Sequence, residues 1–292
     1  MYNLRYHLAS LVSIFIALAI GIVLGGLIVD NSSAFDTAAL IEDLRTEYND
    51  LRAENTALAS ELDAYDEFGQ GVVADTITDR LVGRTTLVLG SSNAVMEEAV
   101  RVIEAAGGNV LLVVVDSGTL TNEGAPATAA LGEQFLPAGV TSEAVAAALA
   151  AEWTDREAEM TPVTDALVAD GIIKYSGSLP AGLTGVVNTA AAGGNAEPFA
   201  LDISVALSRI GTPIVGASML RGAGVVAEAS WERGVAGTNL LGSPIGSYTI
   251  VALLTGAEPG LYGTLDGSSA VFAPMPMRAP LVEAPAEDPL AP

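Results

Sequence analysis

The sequence of 292 residues contains no cysteine, one histidine and one lysine. The absence of cysteine excludes disulfides, thiol catalysis and thiolate metal sites. The single histidine is His7, so the later part of the chain can build neither a Ser-His-acid triad nor a histidine-based zinc site. The nucleophile motif G-x-S-x-G is also absent, because Gly216-Ala217-Ser218 continues with Met219. These absences favour a protein that is not an enzyme.

Basic residues are scarce. Arginine and lysine total 12 against 35 acidic residues, which gives a net charge of −23. Such a surface repels nucleic acid and anionic lipid headgroups, so no nucleic-acid partner is predicted. An equally simple interpretation is that the acidity keeps an Ala- and Gly-rich protein soluble. Half of the residues are apolar, which is enough for a substantial core in a chain of this length.

Charged side chains are missing from residues 8–29. A helix of these 22 residues would be about 33 Å long, enough to cross a hydrocarbon core of about 30 Å. Arg5 and His7 precede the run and Asp30 follows it, which predicts cytoplasmic residues 1–7, a single transmembrane helix at 8–29 and an extracytoplasmic remainder. A cleaved signal peptide is the alternative, although its apolar run is usually about 7–15 residues and no small-x-small cleavage site follows here.

Two glycines within this run, Gly21 and Gly25, have G-x-x-x-G spacing, and Gly26 follows directly. Glycines one turn apart leave a flat patch where a second membrane helix can approach closely. Glycine is also common in membrane helices that have no such role. Together with the segment that follows, the spacing predicts a dimerisation contact at Gly21 and Gly25.

Residues 36–68 carry a heptad pattern, in which apolar residues recur at alternating spacings of three and four. The a positions are Ile41, Tyr48, Asn55 and Leu62, and the d positions are Leu44, Leu51, Leu58 and Tyr65. This narrow seam is typical of a coiled coil, since a helix lying on a globular core shows a wider apolar stripe. Asn55 at an a position can hydrogen-bond its copy across a parallel dimer and so set the register.

The charges that flank the seam agree with a parallel pair. Glu47 and Glu54 occupy g positions, while Arg45 and Arg52 occupy e positions, so Glu47 can reach Arg52 of a partner helix. Each exposed pair contributes less than about 1 kcal/mol and therefore selects orientation more than it stabilises. We expect a homodimer joined through the anchor and the coiled coil. The alternative is that this helix folds back on its own domain.

Beyond residue 69, short apolar runs alternate with helical patterns. Runs at 85–90, 109–116, 185–189 and 213–217 predict strands buried on both faces, as in a parallel sheet covered by helices. Helices are predicted from Met96 until Gly107 and at 141–153, 161–169, 199–210 and 243–254. The predicted fold class is α/β, with a single transmembrane helix, a coiled-coil stem and a layered parallel-sheet domain at 69–273. Residues 274–292 hold six prolines and no periodicity, which predicts a disordered tail.

Three places in this domain carry weak chemical signals. Asp116 follows a predicted strand and is a candidate carboxylate, although such residues are usually caps or solvated loop residues. Residues 90–93 join a strand to a helix, where the turn at Ser91 could hold a phosphate or simply form an N-cap. Met275 and Met277 offer thioethers of the kind that Cu(I) accepts, or belong to an ordinary tail. No catalytic residue and no cofactor is predicted.

Several segments resemble the actinobacterial copper transporter family, the MctB family. They are ALAIGIVLG at 17–25, the leucine-spaced coil, DRLVGR at 79–84, FLPAG at 135–139 and YGT at 262–264. The resemblance covers the chain except for the proline-rich tail, and the anchor and stem carry most of its specificity. It implies copper export and tolerance at the cell envelope, where the family is described as channel-forming. This resemblance is the only reason to consider copper as a ligand, because the residues themselves predict no cofactor.

A related branch, the SteB proteins, implies a different role. Those proteins are implicated in daughter-cell separation, together with the cytoplasmic protein SteA and the activation of peptidoglycan hydrolases. One membrane helix per chain cannot enclose a pore by itself. The first hypothesis is a non-enzymatic, membrane-anchored protein of copper efflux or homeostasis. The second is a bitopic, dimeric interaction protein of the cell-separation machinery with a SteA-like partner.

Overall fold

The computed structural model describes residues 4–91, 93–116, 120, 125–155, 161–176, 182–192, 194–220 and 224–276. The chain divides into two units, Met1–Tyr65 and Asp66–Pro292. Of the tail predicted at 274–292, everything from Met277 onward lies outside the described residues.

One long helix opens the chain. Helix α1 covers Leu4–Ile77 and contains both the predicted anchor at 8–29 and the predicted stem at 36–68. Its side chains are described at 11–25 and from residue 40 onward. The glycines at 69 and 71 do not end the helix. No helix in the described part of the chain combines the length and the apolar character needed to cross a membrane. The transmembrane helix at 8–29 stays a prediction.

The second unit is built on a seven-stranded sheet. The strands are β1 (Thr85–Gly90), β2 (Asn109–Val115), β3 (Ile173–Ser176), β4 (Gly185–Asn188), β5 (Ala191–Ala192), β6 (Asn195–Ala196), β7 (Ile214–Met219), β8 (Ala236–Leu241) and β9 (Leu261–Tyr262). The sheet order is β3-β2-β1-β4-β7-β8-β9, and β5 with β6 forms a separate two-stranded sheet. Within the large sheet only β3 is antiparallel to its neighbour. The predicted α/β fold with a mostly parallel sheet is confirmed.

Eight further helices connect these strands in the described residues. They are α2 (Asn93–Ala105), α3 (Pro126–Ala129), α4 (Gly132–Phe135), α5 (Ser142–Thr154), α6 (Pro162–Ala169), α7 (Pro198–Arg209), α8 (Val225–Glu232) and α9 (Pro244–Leu254). The side chain of Thr141 accepts the backbone N–H of Ala144, and that of Ser243 accepts the N–H of Gly246. These N-caps explain why α5 and α9 begin where the sequence predicts.

The helices cover the sheet in two layers, so the unit has two hydrophobic cores. One core joins Leu87 of β1 and Val113 of β2 to the buried faces of α5, α6 and α7, including Phe199. The other joins Val88 of β1 to α2 and α9, together with Ile77 at the end of α1. Because successive side chains of a strand point to opposite faces, neighbouring residues such as Leu87 and Val88 enter different cores.

Strand β2 departs from the prediction that the strands are buried on both faces. Its residues Leu111, Val113 and Val115 are buried, whereas the alternating residues Val110, Leu112 and Val114 are only partly buried. Strand β4 is buried at every position, as expected. Strand β8, which the sequence did not predict, is also buried throughout. The prediction is therefore wrong for one face of β2, which lies next to the edge strand β3. The crossover helix α2 covers only part of this face, so Val110, Leu112 and Val114 lie at the margin of the second core.

Candidate functional site

The predicted dimerisation seam lies along the exposed surface of α1. All seven apolar side chains at its a and d positions, between Ile41 and Tyr65, are 49–66% exposed. Asn55 is exposed as well, and its Nδ2 donates to the carbonyl oxygen of Leu51 at 2.9 Å. At Gly21 and Gly25, nothing beyond the adjoining residues and backbone of the same helix lies within 4 Å of the place where a Cβ would stand. The seam is an apolar surface on the described chain, and its pairing with a second copy stays a prediction.

In the second unit, the sheet has a topological switch point between β1 and β4. From β1 the chain passes to β2 on one side, and it later returns to β4 on the other side of β1. In open α/β sheets, ligands bind outside the carboxyl ends of the strands at such a point. Ser91, which directly follows β1, lies at this edge, so the predicted turn stands where a ligand site would be expected.

The polar groups at this switch point are already bonded to one another. The Ser91 hydroxyl donates to the carbonyl oxygen of Ala191, and it accepts the N–H of Ala191 at 3.0 Å. The backbone N–H and the hydroxyl of Thr189 both donate to the carbonyl oxygen of Leu89, at 2.7 and 2.9 Å. Asn188 bonds the Ser204 hydroxyl and the N–H of Ala190. Ser92 lies outside the described residues, so the 90–93 turn is not described in full.

Apolar packing and local caps close the same edge further. A Cβ at Gly90 would overlap the side chain of Met96, which therefore lies directly against the end of β1. The hydroxyl of Ser218 accepts the N–H groups of Val226 and Ala227 at 3.2 Å, so the N-terminus of α8 is capped from within. Helix N-termini bind anions through N–H groups that have no other partner. The N–H groups of Val226 and Ala227 are therefore not available to bind an anion.

Of the other predicted candidates, Asp116 lies at the same edge of the sheet, because β2 runs parallel to β1 and beside it. Asp116 follows β2, and its backbone N–H donates to the carbonyl oxygen of Ile172 at 2.8 Å. Met275 is partly buried against the second core, where its sulfur accepts the Thr255 hydroxyl at 3.7 Å and its N–H donates to the Tyr248 hydroxyl. Met277 lies outside the described residues. Within the described part of the chain, no group of three or more His, Asp or Glu side chains is placed to hold a metal ion.

The YGT segment at 262–264 has a structural role that the sequence did not reveal. Asn239 of β8 accepts the N–H of Thr264 at 3.0 Å and donates to the Thr264 hydroxyl at 3.1 Å. A Cβ at Gly263, whose φ is 135°, would overlap the Asn239 side-chain oxygen. The Tyr262 hydroxyl donates to the carbonyl oxygen of Glu258. The segment thus joins β9 to β8.

Asp170 is a second polar junction that sequence reasoning missed. Its carboxylate accepts the N–H groups of Ala127 and Thr128, at 3.0 and 2.8 Å, and the Thr128 hydroxyl at 2.7 Å. Partial burial would raise the pKa of Asp170, but these hydrogen bonds outweigh it and hold the pKa below its ordinary value. The residue ties the loop after α6 to the start of α3, and its role is structural.

A cavity of about 630 Å³ adjoins the partly buried face of β2. Helix α2 contributes Met96, Glu97, Val100 and Arg101, β2 contributes Leu112 and Val114, and β3 contributes Lys174, Tyr175 and Ser176. The sequence alone could not locate this cavity, because its walls come from three segments that only the sheet order brings together. The continuous apolar run of β2 was its one detectable signal.

Comparisons with known proteins agree with the resemblance of the sequence segments. The family described as "Copper transport outer membrane protein, MctB" matches residues 1–273. The copper transporters MctB of Mycobacterium tuberculosis and Mycobacterium bovis are each 31% identical over 155 residues, which cover 48% of this chain and 46% of the relative. The matched part therefore spans about half the length of these curated relatives. Because the family match runs from the first residue to beyond β9, this chain belongs to the MctB copper transport protein family.

Proposed function

We propose that this chain is a non-enzymatic, membrane-anchored protein of the cell envelope that acts in copper homeostasis. The observation that carries the proposal is the family match over residues 1–273, whose description names copper transport. The names of the curated mycobacterial relatives support the same role. Copper is the cargo or the signal in this proposal, and the chain itself performs no chemical conversion.

The arrangement of the second unit supports a role without catalysis. At the switch point, where an α/β enzyme would hold its substrate, the hydroxyls of Ser91 and Thr189 are bonded to neighbouring backbone groups. The side chain of Met96 fills the space beside Gly90. A substrate at this edge would have to break these hydrogen bonds and displace the Met96 side chain. Binding elsewhere on the unit would avoid that cost in free energy.

The mode of assembly in this proposal is a parallel homodimer. The apolar side chains of the seam, 49–66% exposed on α1, lose contact with water when two copies pair. Asn55 can exchange its bond to Leu51 for one to its copy, which would set the two helices in register. Residues 8–29 would anchor both copies in one membrane, with residues 1–7 on the cytoplasmic side.

The copper role is tested by deleting the gene and measuring growth on graded copper. We expect the deletion strain to be more sensitive to copper than its parent, and equally tolerant of zinc. Restoring the full chain should restore growth. Direct handling is tested by titrating Cu(I) into the full-length protein in lipid nanodiscs, with zinc as the control metal. Lack of Cu(I) uptake at high micromolar concentration would exclude direct handling by this chain.

The exposed seam favours a second candidate function, in which the chain is a bitopic interaction protein of the cell-separation machinery. A paired stem can carry a change of orientation between a cytoplasmic partner and an extracytoplasmic domain. In this proposal a SteA-like protein binds on the cytoplasmic side and peptidoglycan hydrolysis is regulated outside. The same deletion strain decides between the two functions, because this one predicts chains of unseparated cells. Normal separation combined with copper sensitivity would contradict it.

Dimerisation is tested with single cysteines, which report cleanly because the chain has none of its own. Asn55→Cys places a thiol on the seam, whereas Ala53→Cys places it on the outer side of the same helix. We expect the first variant to form a disulfide-linked dimer in membranes under mild oxidation and the second to remain mainly monomeric. Equal crosslinking of both variants would indicate random collision and would contradict the paired seam.

A further inference from the structure

The cavity between α2, β2 and β3 has an apolar floor. Its floor consists of Val100, Leu112 and Val114, none of which is fully buried. A volume of about 630 Å³ lies within the range of roughly 300–1,000 Å³ that small-molecule sites occupy. The aliphatic side chains supply no hydrogen-bond partners, so a ligand that fills this floor must present hydrocarbon to it.

This apolar face lies at the margin of the second core. Its side chains Val110, Leu112 and Val114 pack against that core but remain partly exposed. Strand β2 buries Leu111, Val113 and Val115 on the opposite face, where α5, α6 and α7 cover them. A strand half-exposed on one face normally alternates between apolar and polar residues. On β2 the partly exposed residues are Val110, Leu112 and Val114, so aliphatic surface remains in partial contact with water. An apolar ligand in the cavity would remove this surface from water.

The edge strand β3 places polar donors along one side of the cavity. Lys174 lies directly opposite Val114, and Ser176 lies directly opposite Leu112. Residues opposite each other in an antiparallel pair point to the same face, so both side chains are on the side of the apolar floor. Lys174 is the only lysine of a chain with net charge −23. Its ammonium forms no ion pair with any carboxylate in the described residues.

The helix side of the rim carries two carboxylates, Glu97 and Glu98, and one guanidinium, Arg101. Arg101 is paired with Glu98, and Glu97 stands one turn before Arg101. The guanidinium is therefore partly compensated, and Lys174 is the cation best able to attract an anion. A carboxylate placed there could accept from both the Lys174 ammonium and the Ser176 hydroxyl, which are two residues apart on one strand.

We propose that this cavity binds a free long-chain carboxylate, with its hydrocarbon body on Val100, Leu112 and Val114 and its carboxylate at Lys174. The hydrocarbon covers the partly exposed side chains of Leu112 and Val114, and the carboxylate contacts the ammonium of Lys174. A bilayer lipid with two chains exceeds this volume, whereas a single chain of about a dozen carbons fits it. Met96 lines the cavity and also packs against the end of β1, so the cavity adjoins the switch point.

The test uses the full-length protein in phosphatidylcholine nanodiscs and a dodecanoate probe that carries a diazirine at the far end of its chain. After illumination, the labelled peptides are identified by mass spectrometry. We expect saturable labelling of the α2, β2 and β3 peptides, which added dodecanoate suppresses and dodecyltrimethylammonium does not. Labelling confined to α1, or suppressed equally by both competitors, would overturn the proposal, because it would reflect partitioning into the bilayer.

Matched variants separate the charge from the fold. Lys174→Glu should require about tenfold more probe for half-saturation, since the attraction becomes a repulsion. Lys174→Arg should retain labelling, because it keeps the positive charge. Arg209→Glu makes the same charge reversal at an exposed residue of α7 and should leave labelling unchanged. If Lys174→Glu labels like the wild type while its circular dichroism is native, the assignment of Lys174 to the carboxylate is wrong.

Discussion

The apolar face of α1 in the first unit is exposed, whereas the apolar face of α7 in the second unit is buried. On α1, Leu44 and Leu62 are 56% and 66% exposed, although they belong to an unbroken seam. On α7, Ile203 and Leu207 are fully buried against the sheet. The two helices differ in the width of the stripe, because α7 adds Phe199 and Ala206 to make a broad face. A narrow seam fits another helix and a broad face fits a sheet.

This difference separates two kinds of stability. Apolar residues of the second unit stabilise a single chain, so their removal should change unfolding at any protein concentration. Apolar residues of the seam stabilise only an assembly of chains, so their removal should change association and leave the unfolding of the second unit unaltered. Each of the following variants tests one side of this distinction.

The largest effect is expected from Phe199→Ala in α7. The side chain is fully buried in the first core, so its truncation leaves a cavity and should lower the free energy of unfolding by about 3–5 kcal/mol. Urea denaturation followed by circular dichroism measures this change. The control is Leu51→Ala on the seam, which should leave the urea transition of the second unit in place. A similar loss of unfolding free energy in both variants would show that the seam also stabilises the second unit, which would contradict this distinction.

The next effect is expected from Leu51→Asp. A charge at a d position cannot be buried between two helices without a partner, so the proposed dimer should weaken by about 100-fold. Analytical ultracentrifugation in detergent measures the association. Ala53→Asp introduces the same charge on the outer side of the helix and should leave the dimer intact. Unchanged association of Leu51→Asp would exclude the seam as the dimer contact.

A smaller effect is expected from Gly263→Ala. The residue has a φ of 135°, and its new Cβ would overlap the Asn239 side chain, so we expect a loss of about 1–3 kcal/mol in unfolding free energy. Gly267→Ala is the matched control, because Gly267 has a φ of 82° but open space around it. A loss that is larger for Gly263→Ala measures the overlap. In combination with Asn239→Ala the difference should shrink.

The smallest effect is expected from Asp170→Asn, and it depends on pH. The pKa of Asp170 is lowered in the folded state, so its contribution is present above the ordinary value near 3.8 and is lost as the pH falls through the folded pKa. At pH 7 the variant should lose about 1–2 kcal/mol, because Asn offers one acceptor oxygen in place of two. Once the pH lies below the folded pKa of Asp170, the two proteins should approach each other in thermal unfolding. Asp266→Asn, in an exposed loop, should show no such dependence.

The elements that sequence reasoning predicted are those that local signals specify. Strands β1, β2, β4 and β7 have short apolar runs, and α5 and α9 begin at Thr141 and Ser243, which cap them. The missed elements lack such signals. Strand β8 contains Gly237, Thr238 and Asn239 in place of an apolar run, yet it is buried throughout. Helix α8 packs so closely on it that a Cβ at Gly237 would overlap the backbone of Ala227. Strand β3 is a polar edge strand, whose exposure removes the need for an apolar run.

The candidate sites divide in the same manner. The seam could be predicted because all its residues belong to one helix, where spacing alone determines which side chains share a face. The closure at Ser91 could not be predicted, since its bonding partner Ala191 lies 100 residues away. Likewise, the bond from Asn239 to Thr264 joins residues that are 25 positions apart.

The sequence by itself determined the helical seam, the apolar runs, the caps and the absence of a histidine or cysteine site, because each depends on residue type or on spacing within one element. Only the tertiary structure decided the strand order, the closed switch point and the cavity at Lys174. These features arise where the chain crosses from β1 to β2 and returns through β3 to β4. The path of the chain between strands depends on which apolar faces pack together over long distances in the sequence. The spacing of residues within one element does not determine that packing.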